Sequence, residues 1–340
     1  MVQSRTTTLI EPAIQWWGPS ENPEKITDEY RTERGLRWKL LTAPRSRRAA
    51  LYADAYEEVL RRSYEDINRR QFEILKDRAH ARDTFRALRR FVKAGHRVVE
   101  LGPGHGRVSR LLSEIAAHVT MVDVRSALAR DAGEIDNLSL IVTKGTRIPI
   151  ARNSVDVVFS DQLIEHLHPD DAFQMHCEVF NAMAPGGVLI CYTPNRVLGP
   201  HDLSRYFGKY EPDGLHLVEY SITELATLLR SVGFQSVRPL IGGKWMWIPM
   251  PLFILAAVES VLDRLRPSQR LRLVRFPLVK QGLKVLLGAR VVARKPLDGP
   301  ARRKLGESAF LRVVARLLHR LSPDANSGRS NSHGQPDARF

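Results

Sequence analysis

Between Arg97 and Lys295 the chain alternates between two apolar rhythms. Short continuous apolar runs, the signature of strands buried on both faces of a parallel sheet, fall at Arg97–Leu101, His118–Val122, Leu138–Val142, Val155–Ser160, Gly187–Thr193, Ser236–Ile241 and Arg290–Lys295. Apolar residues at helical spacing predict helices between them, over Arg107–Ala117, Ser126–Ile135, Asp170–Met183 and Thr223–Val232. This alternation predicts an α/β fold: a doubly wound, mostly parallel seven-stranded sheet with one antiparallel strand and helices on both faces. Its ligand site is expected beyond the carboxyl ends of the strands.

Ahead of the sheet, residues 51–93 keep a helical period (Leu51, Ala55, Val59; Phe85, Leu88, Val92) and read as a helical lead-in. Residues 1–50 are rich in Pro, Thr, Arg and Glu. Trp16, Trp17 and Trp38 are their large anchors and no period is sustained, so they read as an irregular arm. One domain is therefore expected over residues 51–296. Its last strand, around Val291–Lys295, would return antiparallel beside Ser236–Ile241, which makes residues 243–285 an insertion. The apolar run Trp245–Leu255 is expected at the ligand end of the sheet, as a lid, an apolar pocket or a membrane-facing patch.

Beyond the domain, residues 297–340 form an extension. Ser308–Leu321 places Phe310, Val313, Val314, Leu317, Leu318 and Leu321 on one helical face and Arg312, Arg316, His319 and Arg320 on the other. That is a basic amphipathic helix. The Ser-, Asn-, Gly- and Pro-containing stretch after it reads as disordered.

Charge changes this picture once it is located. The net charge is +15, yet residues 264–340 hold 18 Lys and Arg against 4 Asp and Glu, which accounts for +14 of it. The body that would perform chemistry is nearly neutral, which argues against nucleic acid as its partner and leaves an anionic membrane as a partner for the extension. Two cysteines, Cys177 and Cys191, make no disulfide framework, and no secretory signal is visible, so the cytoplasm is the expected compartment. No apolar run approaches the roughly 20 residues of a membrane-spanning helix.

The chemistry-bearing segment is Val98-Val99-Glu100-Leu101-Gly102-Pro103-Gly104-His105-Gly106-Arg107, set between a predicted strand and a predicted helix. Three alternate glycines let the backbone turn sharply and approach a ligand where a Cβ would collide. A dinucleotide fingerprint would place the third glycine one residue later, at Arg107, so nicotinamide and flavin are disfavoured. Asp123 ends the next strand, where a carboxylate can accept hydrogen bonds from both ribose hydroxyls.

Residues 97–195 resemble a class I S-adenosylmethionine-dependent methyltransferase domain of the bacterial small-molecule and glycan type. The resemblance rests on E-L-G-P-G-H-G-R, V-D-V, I-P-I-A-R-N-S-V-D-V-V-F-S, D-Q-L-I-E-H-L-H-P-D-D, A-P-G-G-V-L-I and T-P-N-R. It implies that Glu100, Gly102, Gly104 and Gly106 hold the methionine part of S-adenosyl-L-methionine, that Asp123 holds its ribose, and that Asp161 lines the cofactor pocket. An acid often found after the third strand is replaced by Thr143-Lys144-Gly145-Thr146. The adenine is therefore expected against backbone groups at Gly145 and Thr146 and apolar packing around Ile148.

Methyl transfer from a sulfonium is an in-line displacement that needs positioning, with a base if the acceptor is a hydroxyl. His166, which follows the fourth strand, is the first candidate base, His216 the second and His201 the third. Asn195, Arg196, His201, Asp202 and Arg205 follow the fifth strand and are candidates for recognising a sugar or an acid. None of these groups has the spacing of a dedicated metal site, so no metal is expected. The leading expectation is O-methylation of a saccharide, lipid-linked or other small-molecule acceptor. Alternatives are an RNA-modifying methyltransferase that uses the basic extension and a non-catalytic donor-binding module at a membrane. Against RNA, the fourth strand is followed by Asp-Gln-Leu-Ile, with no Pro-Pro-aromatic motif.

Overall fold

A computed structural model describes residues 23–64, 67–126, 135–242 and 247–297. Its strands are β1 (Arg97–Leu101), β2 (His118–Asp123), β3 (Leu138–Val142), β4 (Val155–Asp161), β5 (Met183–Thr193), β6 (Gln235–Gly242), β7 (Trp247–Pro249) and β8 (Ala289–Arg294). They form one sheet in the order β3-β2-β1-β4-β5-β8-β6-β7. Strands β1 to β5 run parallel, and β8 lies antiparallel between β5 and β6 through pairs such as Thr193↔Ala289 and Pro239↔Val291. The eighth strand departs from the seven expected. β7 is a three-residue stub on β6 that ends at Pro249, too short to carry a period of its own.

The helices are α1 (Pro23–Thr42), α2 (Arg45–Tyr64), α3 (Ile67–Leu88), α4 (Arg107–Ser113), α5 (Pro169–Ala182), α6 (Ile222–Val232), α7 (Leu252–Arg264), α8 (Pro267–Arg275) and α9 (Pro277–Leu287). Alternation along each strand splits the core in two. Val99, Val158, Leu189, Cys191 and Val291 face α5 and α6, while Val98, Val157, Phe159, Ile190 and Val292 face α3 and α4. Each such side chain contributes roughly 1.5–3 kcal/mol of burial. α6 opens with a reciprocal cap: Ser221 Oγ accepts from the Glu224 amide at 3.2 Å, and Glu224 Oε2 accepts from the Ser221 amide at 2.9 Å.

Three expectations need correction. The described part of the irregular arm is helical, and α2 runs straight through the boundary expected at residues 50 and 51. The apolar insertion does leave the sheet at its ligand end, after β6, but it builds no part of the acceptor pocket: among its described residues, Leu255 joins the α5–α6 core and Trp247 the opposite one, and none lines the main cavity. α4 also stops at Ser113, short of the expected Ala117. The expected helix Ser126–Ile135 lies largely outside the described residues. So do Trp16, Trp17, Trp245 and the extension from residue 298, including the helix Ser308–Leu321. No helix among the described residues is long and apolar enough to cross a membrane.

Candidate functional site

A cavity of about 560 Å³ opens at the carboxyl ends of β1, β2 and β4, roofed by α1 and α2. The roof is pinned by buried polar contacts. Arg48 of α2 grips Asp171 through Nε (2.6 Å) and Nη2 (3.1 Å), and Tyr52 donates to the same carboxylate at 2.8 Å. Arg37 of α1 donates to the carbonyls of His216 and Leu217, and Glu33 accepts from the Leu215 amide at 3.1 Å. Tyr30 stacks on Phe207 with ring centroids 4.0 Å apart.

On the β1–β2 wall, Gly102 and Gly104 hold φ of 61° and 58°, the left-handed region that glycine occupies without strain. A Cβ built on Gly104 meets nothing within 4 Å, because it would stand in the cavity. Asp123 lines the same wall and is held by Arg125, whose Nε and Nη2 lie 3.0 Å from its two oxygens. Gly145, Thr146, Ile148 and Asp161 complete the wall. One Asp161 oxygen lies 2.6 Å from His80 Nε2, and that contact raises the proton affinity of the imidazole. Two expected residues stand behind the wall. Glu100 is buried and accepts from Ser109 Oγ, its carboxyl pushed up to about 8 by burial, and Gly106 caps α4.

The opposite end gathers Glu33, His166, His201, Asp202, Arg205 and His216. Glu219, fully buried, accepts from the His201 amide (2.7 Å) and lies 3.0 Å from His201 Nδ1 and 2.8 Å from His216 Nδ1. The two imidazoles hold its carboxyl well below the usual range. Its charge in turn raises His216 to about 9 against the opposing effect of burial. His166 goes the other way: burial and the neighbouring His216 charge push it down to about 3. Its ring meets those of Tyr56 and His216 edge-on. Both arrangements work against a base role, since one ring is already protonated at neutral pH and the other scarcely accepts a proton.

Asn195 and Arg196 are not on the cavity. Asn195 is buried, donating at 2.9 Å to both Glu259 and the Leu287 carbonyl, and Arg196 pairs with Glu224 and Asp263. Both tie the insertion to the sheet.

Residues 99–191 match the family described as methyltransferase domain. Over 145 residues the chain is 32% identical to a "probable S-adenosylmethionine-dependent methyltransferase" of Mycolicibacterium smegmatis, an overlap that covers 42% of this chain and 53% of that protein. Residues 99–191 thus carry an S-adenosylmethionine-dependent methyltransferase domain. The chain is also 28% identical over 159 residues to a ubiquinone biosynthesis O-methyltransferase of Xanthomonas axonopodis pv. citri, across 43% of this chain and 65% of that one. A solved SAM-dependent methyltransferase from Aquifex aeolicus is similar at a TM-score of 0.37 with 20% identity, covering 46% of this chain and 81% of its own. The chain spans about half the length of the first curated relatives it matches.

The most informative residue that the sequence pattern left unread is Glu33. Burial and the nearby Asp202 push its carboxyl up to about 7. A signal was present: Ile26, Tyr30, Glu33, Arg37 and Leu40 follow helical spacing, with two charged residues inside an otherwise apolar stripe. Such charged positions mark a face that meets polar partners: Glu33 lines the cavity and Arg37 meets the carbonyls of His216 and Leu217.

Proposed function

We propose that this methyltransferase transfers a methyl group from S-adenosyl-L-methionine to an oxygen of a small hydroxylated acceptor, a saccharide or a lipid-linked molecule. The supporting observation is that one continuous cavity joins the glycine and Asp123 wall to a wall of acids and imidazoles under α1 and α2. The first wall suits the donor. Gly104 leaves open the space that any larger residue would fill, and the Asp123 carboxylate can accept from ribose hydroxyls. When bound, the donor supplies a methyl group activated by its sulfonium charge.

The protein's own contribution is placement and proton traffic. Glu33 and Asp202 can accept hydrogen bonds from acceptor hydroxyls, while Leu203, Tyr206 and Leu215 offer apolar surface to a ring or chain. A carboxyl that titrates near 7 suits a general base at neutral pH, and Glu33 takes that role in place of His166. His216, fixed by Glu219, supplies a positive charge that favours the oxyanion formed as the proton leaves. Exposed Phe253, Phe276 and Leu278 stand on an insertion that also carries Arg264, Arg266 and Lys284, which supports peripheral contact with an anionic membrane and so a lipid-linked acceptor.

Incubating the purified chain with methyl-labelled donor and panels of sugars, lipid-linked sugars, phenols and amines tests the reading. Label in acid-stable ether linkages is expected. Label confined to nitrogen, or found in RNA, would overturn it.

A further inference from the structure

We propose that Glu165, His166 and His216 form a binding site for a first-row divalent metal ion, zinc-like in its ligand preference, at the acceptor end of the cavity. One donor atom from each of the three lies within 4.8 Å of the others. The cluster is assembled from two distant chain segments that the backbone clamps together: the amides of Leu217 and Val218 donate to the Glu165 carbonyl at 2.7 and 3.1 Å.

Three observations distinguish this cluster from a chance gathering of polar groups. Glu165 is wholly buried; its Oε2 accepts from Thr193 Oγ1 at 2.8 Å, while Oε1 has no hydrogen-bond partner among the described residues. Leaving a buried carboxylate oxygen unsatisfied costs on the order of several kcal/mol, a deficit that a cation would cancel. Each imidazole has its Nδ1 engaged, His166 with the Leu215 carbonyl at 3.3 Å and His216 with Glu219 at 2.8 Å. That outer-sphere arrangement holds Nδ1–H on each ring and turns Nε2 to the ion, as in metal-ligating histidines; at His216 the arriving cation displaces the Nε2 proton while Glu219 keeps Nδ1–H in place. Finally, both histidines line the cavity, so the remaining coordination positions of an ion would open toward the acceptor.

Two imidazoles and a carboxylate select Zn²⁺, Mn²⁺ or Fe²⁺ over Mg²⁺ and Ca²⁺, which prefer all-oxygen shells. Ligand atoms about 2.0–2.1 Å from a tetrahedral ion stand roughly 3.3 Å apart, so loading draws the widest pair inward by somewhat more than 1 Å. The role of the ion rests on the methyl-transfer reading given above, with the ion replacing the His216 proton as the positive charge: an acceptor hydroxyl on the metal would lose its proton more readily, and Glu33 lines the same cavity to take it. The site itself rests on the side-chain geometry alone.

Chelator-stripped full-length protein titrated with zinc chloride by calorimetry is expected to bind one ion in the groove with micromolar or tighter affinity. Binding should weaken as pH falls, because the imidazoles must be neutral to ligate. Glu165→Gln and His166→Ala should each weaken it at least about tenfold while circular dichroism and donor affinity stay near wild type. Cobalt substitution of the wild-type chain gives a readout that needs no variant: visible d–d bands that zinc abolishes. No zinc binding by the wild type, or binding that survives both substitutions, overturns the site. Zinc binding without methyl transfer would instead leave the site standing and sink the functional reading.

Discussion

Arg125 grips both carboxylate oxygens of Asp123 and passes on to the Gly104 carbonyl, 2.8 Å from its Nη2. The residue proposed to hold the donor ribose is thus tied to the loop proposed to hold the donor methionine. Asp123→Ala removes the ribose acceptor and frees Arg125 from that tie. Donor affinity is expected to fall by about 100-fold, from two lost charge-assisted hydrogen bonds of roughly 1.5–3 kcal/mol each, partly offset by water. Calorimetric titration with S-adenosyl-L-methionine checks this, and equal affinity in both proteins would remove Asp123 from the site.

Gly104→Val places a branched side chain in the open space of the cavity at φ 58°. Donor binding should be abolished. Holding a non-glycine residue in the left-handed region adds about 1–2 kcal/mol of strain, enough to lower the melting temperature without unfolding the domain. Paired melting curves and donor titrations separate the two effects. Retained binding would mean that the loop does not approach the donor.

For the proton-transfer step, kcat/KM on an oxygen acceptor is expected to rise through about pH 7, where Glu33 loses its proton. Glu33→Gln keeps an acceptor for the Leu215 amide but should lower the rate by about 10²–10⁴ and flatten that limb. A variant that retains the rise would assign the base elsewhere.

Stability should also depend on pH in a predictable direction. His216 is raised to about 9 from an ordinary 6.5, so the stability it contributes is complete below 6.5 and is lost as pH climbs through 9. Glu33, Glu100 and Glu165, raised above their ordinary 4.5, act in the same sense between that value and about 7 to 8. Urea denaturation in chelator should therefore show a less stable protein at pH 9 than at pH 6.5. Replacing His216 with Asn should shrink the difference by up to about 3 kcal/mol. An unchanged difference would show that the pair with Glu219 is not formed in solution.

The insertion offers a fourth class of measurement. Phe253→Ser with Leu278→Ser should reduce co-sedimentation with anionic liposomes and leave donor affinity intact, since neither residue lines the cavity. Raising the salt should weaken the wild-type interaction, because surface charge is screened within about 8 Å at physiological ionic strength. Indifference of the wild type to anionic liposomes would remove the membrane reading.

The wall proposed for the donor was legible because its demands are local. β1 and β3 fall on the expected residues, since strands buried on both faces read as unbroken apolar runs, and Gly102, Gly104 and Asp123 are specified by backbone shape at strand ends. The acceptor half depends on which distant segment arrives. Asn195 and Arg196 look like ligand residues until Glu259 and Asp263 of α7 engage them. Glu33 looks like a surface acid until α1 folds over the sheet, because its stripe mixes charge with Ile26, Tyr30 and Leu40.

The family match begins at residue 99, whereas α1 and α2 end by residue 64. On the proposed reading, the roof over the acceptor end is thus encoded apart from the wall that suits the donor, although His166 and residues 201–216 complete that end from elsewhere in the chain. If Glu33 meets the acceptor as proposed, exchanging residues 23–64 for another roof, with the partners Asp171 and Leu215 to Leu217 retained, should change acceptor preference while leaving donor affinity in place.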